Sequence, residues 1–156
     1  MSTGSTPADG AELPAAFAEI ADDFHALGGK DRLQLLLEFS NSLPPLPDRY
    51  ADHPELLEPV PECQSPIFLA TEVDGTGREA TAHLFFSAPP EAPTTRGFAS
   101  ILAEALDGRS VGDVLDTPEA VTGQLGLAEV VSPLRLNGMS GMLARIKRQL
   151  HEKAGL

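Results

Sequence analysis

Apolar residues at intervals of three and four predict that the chain opens with two amphipathic helices. The first helix runs from near Leu13 to Gly28, and Gly28 is placed to end it. Its apolar positions are Leu13, Phe17, Ile20, Phe24 and Leu27. Asp31 is placed to cap a second helix, which ends before Pro44. The two helices are predicted to form a short helical hairpin.

After residue 66 the pattern changes from helical spacing to alternation, which predicts an antiparallel hairpin of two strands. The strands cover residues 67–73 ("IFLATEV") and 80–88 ("ATAHLFFSA"), and the turn chemistry of "DGTG" joins them. The two faces of the second strand carry Leu84 and Phe86 on one side and His83 and Phe85 on the other. The proline-rich stretch 44–62 is predicted to be a long loop without a regular element across most of its length.

Helical spacing returns in the second half of the chain. A third helix is predicted over residues 95–106, and Ser110 and Thr117 are placed to cap two short helices. The last helix covers residues 137–153. Its apolar positions are Met139, Met142, Leu143, Ile146 and Leu150. Helices from both ends of the chain around a small antiparallel sheet predict an α+β fold.

Composition and charge restrict the classes of protein that remain. The 156 residues are the length of one domain, with residues 1–12 expected as a disordered tail and residues 13–156 as the folded unit. The 23 acidic against 11 basic residues give a net charge of -12, which argues against nucleic acid as a partner. No apolar stretch approaches the roughly 20 residues that cross a bilayer. No export signal is visible at the N-terminus, so a cytoplasmic protein is expected.

The sequence offers one main candidate for a reactive group, which is a thiol. The sequence has no Walker, Rossmann, HExxH or CxxC motif, and its four histidines lie far apart, so neither a metal nor a cofactor is expected. The one cysteine, Cys63, lies in "VPECQSPIF" between two prolines. It is either a small buried apolar residue or a reactive thiol that a loop presents.

Four segments of the chain carry a resemblance to known proteins. They are "VPECQSPIFLATEV", "FSNSLPPLPDRY", "TRGFASIL" and "LGLAEVVSPLRLNGMSGMLARIK". The first resembles the "V.GCQS.VWL" segment that holds the acceptor cysteine of the SufE family of sulfur-acceptor proteins, and the others resemble further blocks of that family. The resemblance extends from about Phe17 to Leu150. The chain departs from the family pattern at Glu62, where the family usually has Gly, and in "SAPPEAPTTRG", where only Glu91 keeps an acid.

The resemblance implies both a fold and a function. The fold would be of the SufE/IscU type, although IscU-type scaffolds assemble clusters on three cysteines and this chain has one. Cys63 would take sulfur from the persulfide of a pyridoxal-phosphate (PLP)-dependent, SufS-like cysteine desulfurase and relay it to an iron-sulfur scaffold complex. The chain would then be an accessory sulfur transferase without a cofactor of its own. Whether it forms a homodimer stays open.

If Cys63 is the acceptor, roles are expected for several residues around it. Arg135 in "PLRLNG" matches the family's arginine and would stabilise the Cys63 thiolate. Gln64, beside the cysteine, and Glu91 and Arg96, after the second strand, would contact the desulfurase. The apolar walls that shelter the loaded cysteine would be Ile67, Phe68 and Leu134.

Two other functions stay open on the sequence alone. The chain could be a regulatory interaction module that binds a partner through its acidic body and basic last helix, with Cys63 inert in the core. It could also be a thiol redox protein that cycles Cys63 through sulfenic acid, although the chain has no second cysteine to resolve it.

Overall fold

A computed structural model describes residues 14–156. The predicted tail at residues 1–12, and Leu13, lie outside the described residues. Helix α1 covers Ala15–His25 and helix α2 covers Gly29–Asn41, so the predicted helical hairpin is confirmed. The apolar face of α1 is buried at Phe17, Ile20, Ala21 and Phe24.

The expected cap of the second helix is wrong. Gly28 is the N-cap residue of α2, and no side chain caps this helix. Asp31 lies instead inside the first turn, where a carboxylate suits the positive end of the helix dipole. Gly28 therefore separates the two helices, as the sequence suggested, but it does so by starting the second one.

The proline-rich stretch contains more regular structure than the sequence predicted. It holds the short helix α3, Asp48–Ala51, and a two-residue strand β1, Glu58–Pro59. Strand β1 pairs antiparallel with the next strand through Glu58 opposite Leu69 and Pro59 opposite Phe68. Proline is tolerated there because β1 is an edge strand, where its missing N–H removes no central ladder bond. The sheet consequently has three strands instead of two.

The predicted hairpin is confirmed as strands β2, Phe68–Asp74, and β3, Thr81–Ser87. The strand order is β1-β2-β3, with both pairs antiparallel. Leu84 and Phe86 are buried, whereas His83 and Phe85 on the other face are partly exposed. Because Phe68 pairs with Ser87, the end of β3 lies beside the start of β2.

The remaining helices follow β3. They are α4, Pro93–Leu106, α5, Val111–Asp116, and α6, Pro133–Lys153, with 3-10 turns at Glu119–Leu125 and Leu127–Glu129. Ser110 caps α5 as predicted, since its hydroxyl accepts the Asp113 N–H. The prediction for Thr117 is wrong, because its hydroxyl donates back to the Asp113 carbonyl and a 3-10 segment follows.

Helix α6 organises the core. It begins earlier than predicted because Ser132 supplies an N-cap and Pro133 occupies the first turn. Its predicted apolar positions are all fully buried, and it packs against β2, α4 and the turn that contains Cys63. Helices therefore cover one face of a small antiparallel sheet, which is the α+β arrangement that the sequence predicted. Within residues 14–156, no helix combines the length and apolar character needed to cross a membrane.

Candidate functional site

Cys63 lies in a small loop whose base is anchored and whose tip is exposed. The Val60 N–H donates to the Ile67 carbonyl at 2.9 Å, and both side chains are buried, so the two ends of the loop are fixed in the core. Between them, Pro61–Cys63 forms a single 3-10 turn. Gln64 ends this turn with φ of 58°, in the left-handed region that costs a residue other than glycine roughly 1 kcal/mol. The sequence "PECQ" therefore folds into a tight, strained turn that contains the cysteine.

Two glycines of α6 allow this turn to lie directly on the helix. A Cβ at Gly138 would stand 3.0 Å from the Cys63 Sγ and 3.1 Å from the Cys63 Cα. A Cβ at Gly141 would stand 3.0 Å from the Glu62 side chain. The Cys63 thiol, half-buried in this contact, donates a weak hydrogen bond to the Gly138 carbonyl at 3.5 Å. The "NGMSG" segment thus makes a groove in α6 that fits the cysteine turn.

An ion pair reinforces the contact between the turn and α6. Arg145 Nη1 donates to Glu62 Oε2 at 2.8 Å, and the side chains of Arg145 and Glu62 are only 22% and 35% exposed. Arg145 Nε also stands 3.3 Å from Glu58 Oε2, and Glu58 in turn binds Arg148 and Gln149. The residue directly before the cysteine is therefore tied into a charged cluster on α6.

The Cys63 thiol is protonated in this arrangement. Its pKa is raised to about 11, chiefly by burial and next by the neighbouring Glu62 carboxylate, while the Arg145 guanidinium acts in the opposite direction. With that pKa only about one thiol in ten thousand is ionised at pH 7. Because the thiolate is the nucleophile, Cys63 is poorly reactive while its turn lies on α6.

The structure places the two predicted arginines in different surroundings. Arg135 lies exposed in the first turn of α6, and its backbone N–H donates to the Ser132 hydroxyl. The cation that acts on the Cys63 thiol in this structure is Arg145. Arg96 donates to the carbonyls of Ser40 at 2.9 Å and Ala88 at 2.5 Å, so its guanidinium joins α2 to the end of β3.

The other predicted residues divide between the surface and the core. Gln64 and Glu91 are exposed, and Glu91 follows the end of β3 that lies beside the start of β2. Of the expected apolar walls, Ile67 is buried and Phe68 is partly buried. Leu134 is 56% exposed on the first turn of α6. Of these side chains, three are therefore accessible to a partner protein, namely Gln64, Glu91 and Leu134.

Sequence reasoning missed four residues that hold the cysteine turn, namely Glu62, Gly138, Gly141 and Arg145. The replacement of the family's usual glycine by Glu62 was a visible signal, because a charge next to a reactive thiol needs a counter-charge. Nothing local marked Arg145, since its partner is far away in the sequence. In the part of the chain that the structure describes, no three His, Cys, Asp or Glu side chains are grouped to hold a metal ion.

Comparison with known proteins identifies relatives of the whole chain. Residues 18–150 match the family described as "SufE: Fe-S metabolism associated domain". An uncharacterized SufE-like protein of Mycobacterium tuberculosis is 56% identical over 142 residues, which are 91% of this chain and 96% of that protein. A chloroplastic/mitochondrial SufE-like protein of Arabidopsis thaliana is 27% identical over 142 residues, which are 90% of this chain and 36% of that protein.

A solved structure has the same fold. The solution structure of a hypothetical protein from Thermus thermophilus matches with a TM-score of 0.77 and 34% sequence identity. The match covers 91% of this chain and 98% of that chain.

Proposed function

This chain belongs to the SufE family, which has a sulfur-acceptor role in Fe-S metabolism, and from that membership we propose that Cys63 is the residue that accepts the sulfur. The observation that carries the proposal is the placement of the chain's one cysteine. It lies at the tip of an anchored loop, next to an exposed Gln64, in a segment that resembles the acceptor-cysteine segment of the family. A PLP-dependent cysteine desulfurase is the proposed donor and an iron-sulfur scaffold complex the proposed recipient.

The proposed transfer is an exchange between two sulfur atoms. The Cys63 thiolate attacks the outer sulfur of the desulfurase persulfide, so a new S–S bond forms on Cys63 and the S–S bond of the desulfurase breaks. The desulfurase cysteine leaves as a thiolate and takes the proton that Cys63 has lost. No external oxidant or reductant enters this step. Cys63 is left as a persulfide, whose outer sulfur a second exchange passes to the scaffold.

The turn is closed in this structure, in the sense that it lies on α6, and this closed state cannot be the reacting state. A thiol with a pKa of about 11 is rarely ionised, and its sulfur donates to the Gly138 carbonyl instead of facing a partner. Since the loop is anchored at Val60 and Ile67, its tip can move without disturbing the core. Transfer therefore requires that the desulfurase lift the turn from α6. The exposed residues around the turn are the natural contacts for this step.

Among these contacts we assign the desulfurase interface to Gln64, Glu91 and Arg135. All three are exposed. Glu91 follows the end of β3, and this end lies beside the start of β2, the strand that comes directly after the cysteine loop. Arg96 supports this surface by holding the Ser40 and Ala88 carbonyls, and through them the segment that carries Glu91. Arg135 would meet the thiolate or the persulfide after the turn opens.

Replacement of Arg135 by alanine tests whether this residue acts on the thiol of the free protein or only in the opened complex with the desulfurase. If Arg135 acts only in the opened complex, Arg135→Ala slows sulfur acceptance by about tenfold, as expected for the loss of a charged hydrogen bond. Alkylation of the free protein keeps its pH profile, because Arg145 is the cation that acts on the closed thiol. Both quantities are measured on one preparation. A shifted alkylation profile would place Arg135 at the thiol of the closed protein instead.

The proposed function is tested by mass spectrometry of the intact protein. After incubation with a SufS-like desulfurase and free cysteine, we expect a gain of one sulfur atom, about 32 Da, which thiol reductants remove. Peptide mapping is expected to place the sulfur on Cys63. An unchanged mass, under conditions where the desulfurase turns over, would reject the carrier function. It would favour the interaction module in which Cys63 is structural.

A further inference from the structure

We propose that Arg145 is a positioning residue for Cys63 and that the Glu62–Arg145 ion pair is a latch that holds the cysteine turn closed on α6. The inference rests on the proposed function in one respect, that Cys63 is the reacting thiol. It adds a residue and a device that the family resemblance does not contain, because Glu62 stands where the family usually has glycine.

The ion pair is the strongest polar contact between the turn and the helix. Arg145 Nη1 and Glu62 Oε2 are 2.8 Å apart, whereas the other polar contact, from the Cys63 thiol to the Gly138 carbonyl, is 3.5 Å long. The turn's remaining backbone bonds, from Cys63 to Val60 and from Gln64 to Pro61, lie within the loop. They travel with the turn when it moves. Besides its packing in the α6 groove, the polar contacts that opening breaks among the described residues are therefore one charged bond and one weak one.

The closed state leaves part of both latch residues unsatisfied. Glu62 Oε1 is buried and has no hydrogen-bond partner among the described residues, and the buried Arg145 Nε has only its 3.3 Å ion-pair contact with Glu58 Oε2. An opened turn would hydrate these atoms, which recovers part of the free energy that breaking the pair costs. Unwinding of the turn would also release Gln64 from its left-handed backbone conformation, which relieves the strain of that conformation. The latch is thus strong enough to close the turn and weak enough for a docking partner to open.

Variants that remove one charge at a time distinguish a latch from a purely electrostatic effect on the pKa of the thiol. Glu62 from the turn and Arg145 from α6 are the two charges that act on Cys63, with opposite signs. Glu58 of β1 contacts Arg145, and Arg148 of α6 contacts Glu58 but not the pair itself. If the charges act only through space, removing Glu62 lowers the pKa of the thiol and removing Arg145 raises it. If the pair is a latch, removing either residue frees the turn, so both changes expose and ionise the thiol.

The test is alkylation of the free protein with iodoacetamide between pH 7 and pH 10, followed by mass. We expect Glu62→Gln and Arg145→Gln each to speed alkylation at neutral pH by about fivefold, the factor for an ion pair of about 1 kcal/mol. Both should also shift the alkylation midpoint to lower pH. Hydrogen exchange at residues 60–67 should accelerate in both variants, because the turn opens more often.

Three further variants complete the design. Arg148→Gln is the matched control, since Arg148 binds Glu58 and Glu152 and makes no contact with Glu62, and it should leave alkylation unchanged. Arg145→Lys keeps the charge and should restore most of the slow rate. The reversed pair, Glu62→Arg with Arg145→Glu, should alkylate more slowly than either single change.

Opposite effects would overturn the proposal. If Glu62→Gln alkylates faster, Arg145→Gln alkylates more slowly and hydrogen exchange in residues 60–67 is unchanged, the pair acts only through its charge. Equal rates in all variants would show that the burial of Cys63 alone holds the turn. Since no desulfurase takes part, these results are independent of whether the protein accepts sulfur. Thermal melting of each variant confirms that the fold is intact.

Discussion

Replacing Cys63 by serine is expected to abolish sulfur acceptance and to leave the fold unchanged. A serine hydroxyl is hardly ionised at neutral pH and does not attack a persulfide, so no sulfur can be bound covalently at this position. The hydroxyl can keep the hydrogen bond that the thiol donates to the Gly138 carbonyl, and the side chain is only half-buried. We therefore expect a change in unfolding free energy within about 0.5 kcal/mol.

Two measurements on Cys63→Ser check this expectation. The intact mass should show no gain of sulfur after incubation with desulfurase and cysteine, and sulfide release should equal that of the desulfurase alone. The Arg148→Gln protein, which retains the thiol, serves as a positive control for sulfur gain. Sulfur found on the serine variant, or stimulation of the desulfurase above its own rate, would place the acceptor elsewhere.

The parts of the fold that the sequence predicted well are those with strong local patterns. The apolar face of α6, from Met139 to Leu150, repeats at helical spacing and is fully buried. The alternation in β3 predicted which side chains face the core, because a strand turns successive side chains to opposite faces. In these elements burial of one face, a local property of the sequence, determines the structure.

The errors arise where strand pairing or cap geometry, and not apolar spacing, decides the local structure. Strand β1 exists only because Glu58 and Pro59 pair with β2, and its proline argues against a strand when the segment is read alone. The cap at Asp31 was misplaced because Gly28 begins α2 without a side-chain cap. Thr117 was misread because its hydroxyl donates backwards into α5. The three outcomes depend on strand pairing and on cap geometry, which a pattern of apolar positions does not encode.

The candidate site likewise divides into a residue that the sequence identifies and surroundings that it does not. Cys63 was identified from its segment, since a lone cysteine between prolines is visible in the sequence. The surroundings that control it, Gly138 and Arg145, come from a helix that is far away along the chain. A thiolate needs a nearby cation, and sequence reasoning selected Arg135 through a family motif. The structure shows that a different arginine acts on the closed thiol. Geometry, and not residue type, distinguishes the two.

Replacing Gly138 by alanine is expected to hold the cysteine turn away from α6. The added Cβ would stand 3.0 Å from the Cys63 Sγ and 3.1 Å from its Cα, and the second contact is with backbone. A side chain could rotate away from such a contact, but a backbone atom moves only if the whole turn shifts. Overpacking of this kind costs about 1–3 kcal/mol. Alanine gains about 1 kcal/mol over glycine within a helix, which offsets part of that cost.

The displaced turn should make Cys63 more reactive. Because burial is the largest cause of the raised pKa, a turn that no longer lies in the groove should ionise at lower pH. A fall of one pKa unit gives about tenfold more thiolate at neutral pH, and iodoacetamide should react faster by a similar factor. The measurement is the pH profile of alkylation, together with thermal melting.

Gly123→Ala is the matched control for this substitution. Gly123 is exposed within the 3-10 segment Glu119–Leu125, and a Cβ there meets nothing within 4 Å. This variant should keep the alkylation profile and the melting temperature of the unmodified protein. If Gly138→Ala behaves in the same way, the turn does not depend on the α6 groove. If it alkylates faster, the groove at Gly138 is what keeps Cys63 buried and protonated in the free protein.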